Sequence, residues 1–139
     1  MQRILGIDYG SRRIGIAIAD LETQIATPLT MIDGRNDVTR DASAISKLAH
    51  REQAASIVVG LPLNMDGSDS QQTEVTRRFA DELIRLSGVT VHLHDERLSS
   101  FAAQELLDAG GIKSNKQEGR LDAVAAQRIL QSFLDQQSQ

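Results

Sequence analysis

The 139-residue sequence predicts one α/β domain, built on a five-stranded mixed sheet with helices packed against it. Two observations support this fold class. The chain opens with three short apolar segments joined by polar corners, a pattern typical of an antiparallel meander. Two further apolar segments each follow an amphipathic helix, a pattern typical of parallel crossover strands. The length suits one hydrophobic core and is too short for two lobes around a cleft, so we expect 1–139 to form a single domain.

Residues 4–20 are predicted to form a β-hairpin. An apolar strand ends near Asp8, a corner of Gly, Ser and Arg follows, and isoleucines then alternate with small residues. A carboxylate at the end of a buried strand needs a compensating cation, arginine or set of N–H donors. The small neighbours Gly10, Ser11 and Gly15 would let a phosphate or hydrated metal approach. The alternative is that Asp8 begins the turn and faces water.

The remaining elements are predicted from hydrophobic periodicity. A third strand over 23–32 contains Pro28, which lacks an N–H and should lie at a sheet edge or a bulge. There follow a helix over 38–52, a strand over 56–61, a helix around 75–86 ended by Gly88, a strand over 89–94, a shorter helix over 99–107, a polar connection over 112–119 and a final helix over 120–135. The final helix should face the core through Leu121, Ala125, Ile129 and Phe133.

Composition narrows the possible functions. The absence of cysteine excludes disulfides, thiolate metal sites and a cysteine nucleophile. No segment has the length and apolarity of a signal peptide or a membrane span, so we expect a cytoplasmic protein without a membrane partner. A formal charge of −4 argues against wrapping of nucleic acid by a broad basic surface. Bound divalent cations would offset that charge.

Three acids are predicted to converge at one edge of the sheet. Asp8 ends the first strand, Glu96 follows the last strand, and Asp122 lies in the first turn of the final helix. Functional groups in such sheets gather outside the carboxyl ends of the strands. Oxygen ligands without cysteine favour Mg²⁺ or Mn²⁺, and two such ions support phosphodiester hydrolysis. The alternatives are that Glu96 is a solvated turn residue and that Asp122 interacts only with the helix dipole.

Four segments resemble the YqgF (RuvX) family, in order and over nearly the whole chain. They are Ile7-Asp8-Tyr9-Gly10, Gly60-Leu61-Pro62-Leu63-Asn64-Met65-Asp66-Gly67, His94-Asp95-Glu96-Arg97-Leu98-Ser99 and Leu121-Asp122-Ala123. The resemblance implies an RNase H-like fold and a nuclease acting on the 5′ end of pre-16S ribosomal RNA, in a family also described as Holliday-junction resolvases. It implies that Asp8, Glu96 and Asp122 are catalytic and metal-binding. Many RNase H-like nucleases carry another acid after the fourth strand, where this chain has Gly60-Leu61-Pro62.

Several groups near these acids are candidates for binding substrate. Arg12, Arg13 and Arg97 could clamp phosphates or balance the carboxylates. Asn64 could donate to a phosphate or sugar, unless its loop only packs against the protein. Lys113 and Lys116 could form a cationic arm for a nucleic-acid backbone, although solvated loop charge is the common explanation for such a pair.

The function predicted from the sequence is therefore metal-dependent hydrolysis of structured RNA. Pre-rRNA is the favoured partner, alone or within ribosomal particles, and the protein is expected to be a monomer or a homodimer. One alternative is resolution of branched DNA, which usually needs a two-fold dimer. Another is a non-catalytic RNA-binding module for ribosome assembly. The opening hairpin also resembles that of actin-like ATPases and sugar kinases, but this chain lacks the length for their second lobe.

Overall fold

The computed structural model describes the backbone of residues 2–99 and 115–138 and the side chains of 2–99 and 123–138. Its elements are β1 (Arg3–Tyr9), β2 (Arg13–Asp20), β3 (Ile25–Asp33), α1 (Val38–Arg51), β4 (Ala54–Leu61), α2 (Gln71–Ser87), β5 (Thr90–Asp95), a 3₁₀ turn (Glu96–Leu98) and α3 (Asn115–Gln137). The predicted helix over 99–107 lies almost entirely outside the described residues.

The five strands form one mixed sheet in the order β3-β2-β1-β4-β5. Strands β1, β2 and β3 pair antiparallel, whereas β4 is parallel to both β1 and β5. The predicted meander and crossover strands are thus confirmed. Pro28 lies on edge strand β3 beside a register shift, where its missing N–H removes no regular ladder bond. This topology brings the carboxyl ends of β1, β4 and β5 to the same edge of the sheet.

Helices cover both faces of the sheet, because side chains alternate along each strand. Leu5 and Ile7 of β1 belong to the buried cluster that α1 and α2 cover, whereas Ile4 belongs to the cluster that α3 covers. Gly6 shares the α3 face, and a Cβ added to it would lie 2.6 Å from Cβ of Leu130. Helix α3 therefore packs directly on the backbone of the central strand.

Helices α1 and α2 both begin at the edge where β1 and β4 end. Asp37 caps α1, since its side chain accepts from the backbone N–H groups of Thr39 and Arg40. Ser70 and Thr73 form a reciprocal capping box at the start of α2. At its other end α2 stops as predicted at Gly88, whose left-handed φ of 72° suits glycine.

The final helix differs from its prediction in start and buried face. It begins at Asn115 rather than near residue 120, so Lys116 lies within α3 and Asp122 lies beyond the first turn. Ile129 is buried as predicted, whereas Ala125 and Phe133 are half-buried, and Phe133 still packs against the buried cluster. The side chain of Leu121 lies outside the described residues. The buried positions among the described side chains are Ala123, Ala126, Ile129, Leu130 and Leu134. The prediction was wrong because the polar sequence before residue 120 carries no apolar periodicity to mark a helix. No helix within 2–99 or 115–138 has the length and apolar character to span a membrane.

Candidate active site

Asp8 lies near the carboxyl end of central strand β1, on the face covered by α3. It alternates with Ile7 and Tyr9, which are buried under α1 and α2, and it pairs across the ladder with Gly15. Its side chain is half-buried and interacts with another group of the protein. The strand therefore aims this carboxylate at the α3 side of the sheet edge.

Glu96 begins the 3₁₀ turn that follows β5, and it lies over Gly60 of β4. A Cβ placed on Gly60 would lie 2.9 Å from Cγ of Glu96 and 2.5 Å from Cδ1 of Ile129. Only a residue without a side chain leaves this space to Glu96 and α3. The penultimate residue of β4 is thus a glycine that makes room for Glu96.

Burial, then the negative charge of Asp8 and then that of Asp95, together raise the pKa of the Glu96 carboxyl to about 7. The charge of Asp8 therefore reaches Glu96, as expected for carboxylates at neighbouring strand ends. Two like charges in a partly buried place repel each other, and a bound cation would relieve this conflict. This electrostatic relationship is the main chemical feature of the edge.

The donor set fits a hard divalent cation. Asp8 and Glu96 supply oxygen ligands, the type that Mg²⁺ and Mn²⁺ prefer. Among the described side chains no group of three His, Cys, Asp or Glu is close enough to hold a metal ion. The side chain of Asp122, the third predicted ligand, lies outside the described residues, although its backbone is in α3. The described part of the site thus contains two of the three predicted acids.

Tyr9 is held from three directions, a feature that sequence analysis missed. Its hydroxyl donates to Oδ2 of Asp41 at 2.6 Å, its ring stacks on Phe79 at 4.0 Å, and its carbonyl accepts from Nε2 of Gln72 at 2.9 Å. Burial and the Asp41 carboxylate raise the pKa of Tyr9 above its usual range. Because Tyr9 directly follows Asp8, these contacts fix the end of β1. The alternation of β1 was the one signal that could have found this residue.

Arg97 balances an acid and ties down a loop. It donates from Nη2 to Oδ2 of Asp95 at 2.7 Å and from Nη1 to the carbonyl of Met65 at 3.2 Å. The hydrogen bond from Arg97 lowers the pKa of Asp95. These contacts support the charge-balancing role proposed for Arg97 over direct phosphate binding. They also join the 64–68 loop to the turn that carries Glu96.

The loop over 62–70 is held in one conformation by hydrogen bonds between its own residues. Nδ2 of Asn64 donates to Oγ of Ser68 at 3.0 Å, and the backbone N–H of Ser68 donates to Oδ1 of Asp66 at 2.9 Å. Leu63 and Asp69 form an isolated antiparallel bridge. The exposed Asn64 amide is therefore held in one place within the loop, where it remains a candidate for binding substrate.

His94 lies beside the site and contacts α3. It is buried, its Nε2 lies 2.9 Å from Oγ of Ser132 on α3, and its ring meets Phe133 edge-on. Burial lowers the pKa of His94, which favours the neutral imidazole. These contacts join β5 to α3.

The other cationic residues predicted to bind substrate lie in different parts of the chain. Arg12 is exposed in the β1–β2 turn, and its carbonyl accepts from the N–H of Gly34 at 2.8 Å. Arg13 is half-buried at the start of β2 and interacts with another group of the protein. Lys113 lies outside the described residues, as does the side chain of Lys116. The structure thus places two of the four cations at the edge where β1 ends.

The sequence matches a known family along almost its full length. The family model described as "RuvX: Holliday junction resolvase" matches residues 2–136. A protein of Anaeromyxobacter sp. (strain K) is 43% identical over 136 residues, which are 98% of each chain. A second Anaeromyxobacter protein (strain Fw109-5) is 45% identical over 73% of this chain and 74% of its own. A Methylocella silvestris protein is 43% identical over 73% of this chain and only 62% of its own. All three carry the name "Putative pre-16S rRNA nuclease".

Solved structures of low sequence identity share the fold. The structure titled "T. thermophilus RuvC in complex with Holliday junction substrate" is similar with a TM-score of 0.62 and 14% identity, over 99% of this chain and 96% of that one. A fowlpox virus resolvase in complex with Holliday junction DNA is similar with a TM-score of 0.59 and 13% identity, over 99% and 100%. The fold is thus the RNase H-like fold of resolvases, and the family match shows that this chain belongs to the RuvX family.

Proposed function

We propose that this chain is a divalent-metal-dependent nuclease of one domain that hydrolyses phosphodiester bonds of structured RNA, with the 5′ end of pre-16S rRNA as its substrate. The names of the related proteins support the RNA substrate, and family membership supports the nuclease class. We place its action in the cytoplasm, on free precursor RNA or on ribosomal particles.

The observation that carries this proposal is the position of Glu96 over Gly60, within reach of the charge of Asp8. Two carboxylates that repel each other at a sheet edge are costly for a fold. Arg97 donates its hydrogen bonds to Asp95. Its guanidinium therefore does not offset the cost of burying the Glu96 carboxyl. A cation site explains why the chain keeps an acid in this place.

In this proposal Asp8, Glu96 and Asp122 hold Mg²⁺ or Mn²⁺. When bound, such ions activate water and stabilise the leaving oxygen of a phosphodiester. The side chains around them orient the substrate. Arg12 and Arg13, at the adjacent turn, and Asn64, on the ordered loop, contact phosphates or sugars, while Lys113 and Lys116 contact the backbone beyond the cut. Tyr9 and Arg97 act as positioning residues, since they hold the end of β1 and the turn that carries Glu96.

The test is digestion of a panel of nucleic acids with and without divalent metal. The panel contains a precursor rRNA fragment, an unrelated structured RNA, a single-stranded RNA and a four-way DNA junction. Wild-type protein should cut the precursor fragment only with Mg²⁺ or Mn²⁺, and Asp8→Asn should not cut it. Glu74→Gln, which removes an exposed acid from the first turn of α2, is the control and should remain active. Full activity of Asp8→Asn, or cleavage indifferent to chelation, would reject the proposal.

The second candidate is a junction resolvase, favoured by the printed description of the family model. Resolution needs paired nicks and hence a two-fold dimer in solution. Preferential cleavage of the DNA junction by a species of dimeric mass would support it. If the protein does not cleave RNA, and its RNA binding is unchanged by chelators and by Asp8→Asn, it is instead a non-catalytic assembly module.

A further inference from the structure

A basic groove lies between β3 and α1. Its volume is about 660 Å³, and its cationic lining consists of Arg35, Arg40 and Lys47. Arg35 and Lys47 are exposed and form no ion pair with any side chain the structure describes. Arg40 is 75% exposed and only reaches Asp37 at 4.0 Å. The ion pair of Arg85 with Glu82, outside the groove, is much shorter at 2.6 Å.

The cations follow from the register of α1. Ala42, Ile45 and Ala49 face the core, which turns Arg40 and Lys47 outward on the groove side of the helix. Arg40 and Lys47 are seven positions apart on α1, which corresponds to a rise of roughly 10 Å. One strand of a duplex presents about three phosphates over that length. The spacing thus matches a polynucleotide backbone better than a single small anion.

The acids of the groove do not cancel this charge. Asp41 is 2% exposed, and its oxygens accept from the Tyr9 hydroxyl and from the backbone N–H of Arg35. Asp33 is the exposed acid, and it lies at the end of β3. The rest of the groove therefore presents positive charge to solvent in a protein whose formal charge is −4.

The groove lies on the α1 side of the sheet, opposite to the side that Asp8 faces, and hydrogen bonds link it to the sheet edge where β1 ends. Asp41 lines it and binds Tyr9, the residue after Asp8. The N–H of Gly34, next to Arg35, donates to the carbonyl of Arg12 in the β1–β2 turn at 2.8 Å. An RNA strand that passes from Asp8 over the β1–β2 turn at Arg12 would therefore reach α1.

We propose that the β3–α1 groove binds the sugar–phosphate backbone of the RNA duplex that adjoins the cut, through Arg35, Arg40 and Lys47. The inference rests on the proposed nuclease function for the identity of the nucleic acid. It adds a second contact region and explains how an acidic protein binds a long polyanion. Substrates with a duplex arm are then bound more tightly than substrates without one.

The test compares two double variants in an Asp8→Asn background, which separates binding from cleavage. Arg35→Gln/Lys47→Gln removes the two unpaired groove cations. The control, Arg3→Gln/Arg85→Gln, removes the same charge from two ion-paired cations outside the groove. Binding of a long-stemmed RNA hairpin, a short-stemmed version and a DNA duplex of equal length is measured by fluorescence anisotropy over a range of salt concentrations.

For the long-stemmed RNA, the groove variant should bind at least about tenfold more weakly at 0.1 M salt, with a salt slope lower by about 2. The control should retain tight binding, and the short-stemmed RNA should distinguish the variants much less. Equal affinity and an equal salt slope of the two variants for the long-stemmed RNA would overturn the inference. A loss of affinity in the groove variant that is seen with the DNA duplex alone would also overturn it, as would the absence of any binding to the hairpin. Cleavage by the protein with Asp8 restored is scored separately. Groove-dependent binding without cleavage would reject the nuclease function and leave the groove assignment in place.

Discussion

Cγ of Glu96 lies 2.9 Å from the point where a Cβ on Gly60 would stand, so the acid occupies the space that the glycine leaves empty. Cδ1 of Ile129 lies at 2.5 Å from the same point. Strand β4, the turn after β5 and α3 therefore meet at one backbone position. A change at Gly60 tests this meeting point without touching a carboxylate.

Gly60→Ala should reduce cleavage at least about tenfold and destabilise the fold by roughly 1–3 kcal/mol, because the added methyl forces Glu96 or α3 to move. Thermal unfolding and single-turnover cleavage check the two effects. Gly34→Ala is the control, since a Cβ there would meet its nearest atom at 3.4 Å with no left-handed φ. Normal stability and full activity of Gly60→Ala would show that Glu96 does not depend on this space.

Glu96→Gln should separate stability from activity. The pKa of Glu96 is raised in the folded protein, so folding is favoured while the group is protonated, and that stability is lost as pH rises from its ordinary value of 4.5 to about 7. Above that range the ionised carboxyl costs wild type roughly 3 kcal/mol, which the amide avoids. Denaturant unfolding in metal-free buffer should therefore show the variant more stable at about pH 8 and equal at about pH 4.

Mg²⁺ should narrow that difference at the higher pH, because it stabilises ionised wild type and not the variant. Cleavage by Glu96→Gln should be lost at every pH. A difference in stability that does not change with pH would contradict the raised pKa assigned to the partly buried Glu96 carboxyl. Glu74→Gln controls for the loss of one carboxylate from the surface.

Tyr9→Phe should destabilise the fold by about 1–3 kcal/mol, because it keeps the ring on Phe79 and removes the donor to the buried Asp41 carboxylate. Combining it with Asp41→Asn gives a double-mutant cycle, in which the two changes should be clearly less than additive. Thr39→Ala is the comparison, since it removes an exposed hydrogen bond from α1 and should have little effect. If the losses in free energy of unfolding caused by Tyr9→Phe and Asp41→Asn are additive in urea, the two side chains do not act as a unit.

The same variant should weaken metal binding if Tyr9 positions Asp8. We expect a moderate loss of Mg²⁺ affinity, of about three- to tenfold, without a change in the number of bound ions. Titration calorimetry measures both quantities. Unchanged affinity in a destabilised Tyr9→Phe protein would limit this residue to a purely structural role.

Features that depend on one segment could be predicted from the sequence. The apolar runs of β1 and β4, the alternation in β2 and the Gly88 stop of α2 are local patterns, and the structure agrees with each. The position of Pro28 at an edge strand followed from its missing N–H alone. The motif segments located Asp8 and Glu96 because Asp8 lies near the end of β1 and Glu96 directly follows β5.

Features that depend on packing between distant segments could not be predicted from the sequence. The Tyr9–Asp41 bond joins residues 32 positions apart, and no periodicity marks it. The role of Gly60 depends on the depth at which α3 packs, which is set by Ala126, Ile129 and Leu130 together. The groove cations were overlooked because each of Arg35, Arg40 and Lys47 reads alone as ordinary surface charge.

Calorimetric titration of Mg²⁺ and Mn²⁺ into wild type, Asp8→Asn, Glu96→Gln and Asp122→Asn tests the shared cation site most directly, since it needs no substrate. We predict that wild type binds with measurable heat and that each variant loses at least about tenfold in affinity, while Glu74→Gln binds like wild type. Undiminished binding in all three variants would show that these carboxylates do not form one site, and would contradict the proposed chemistry.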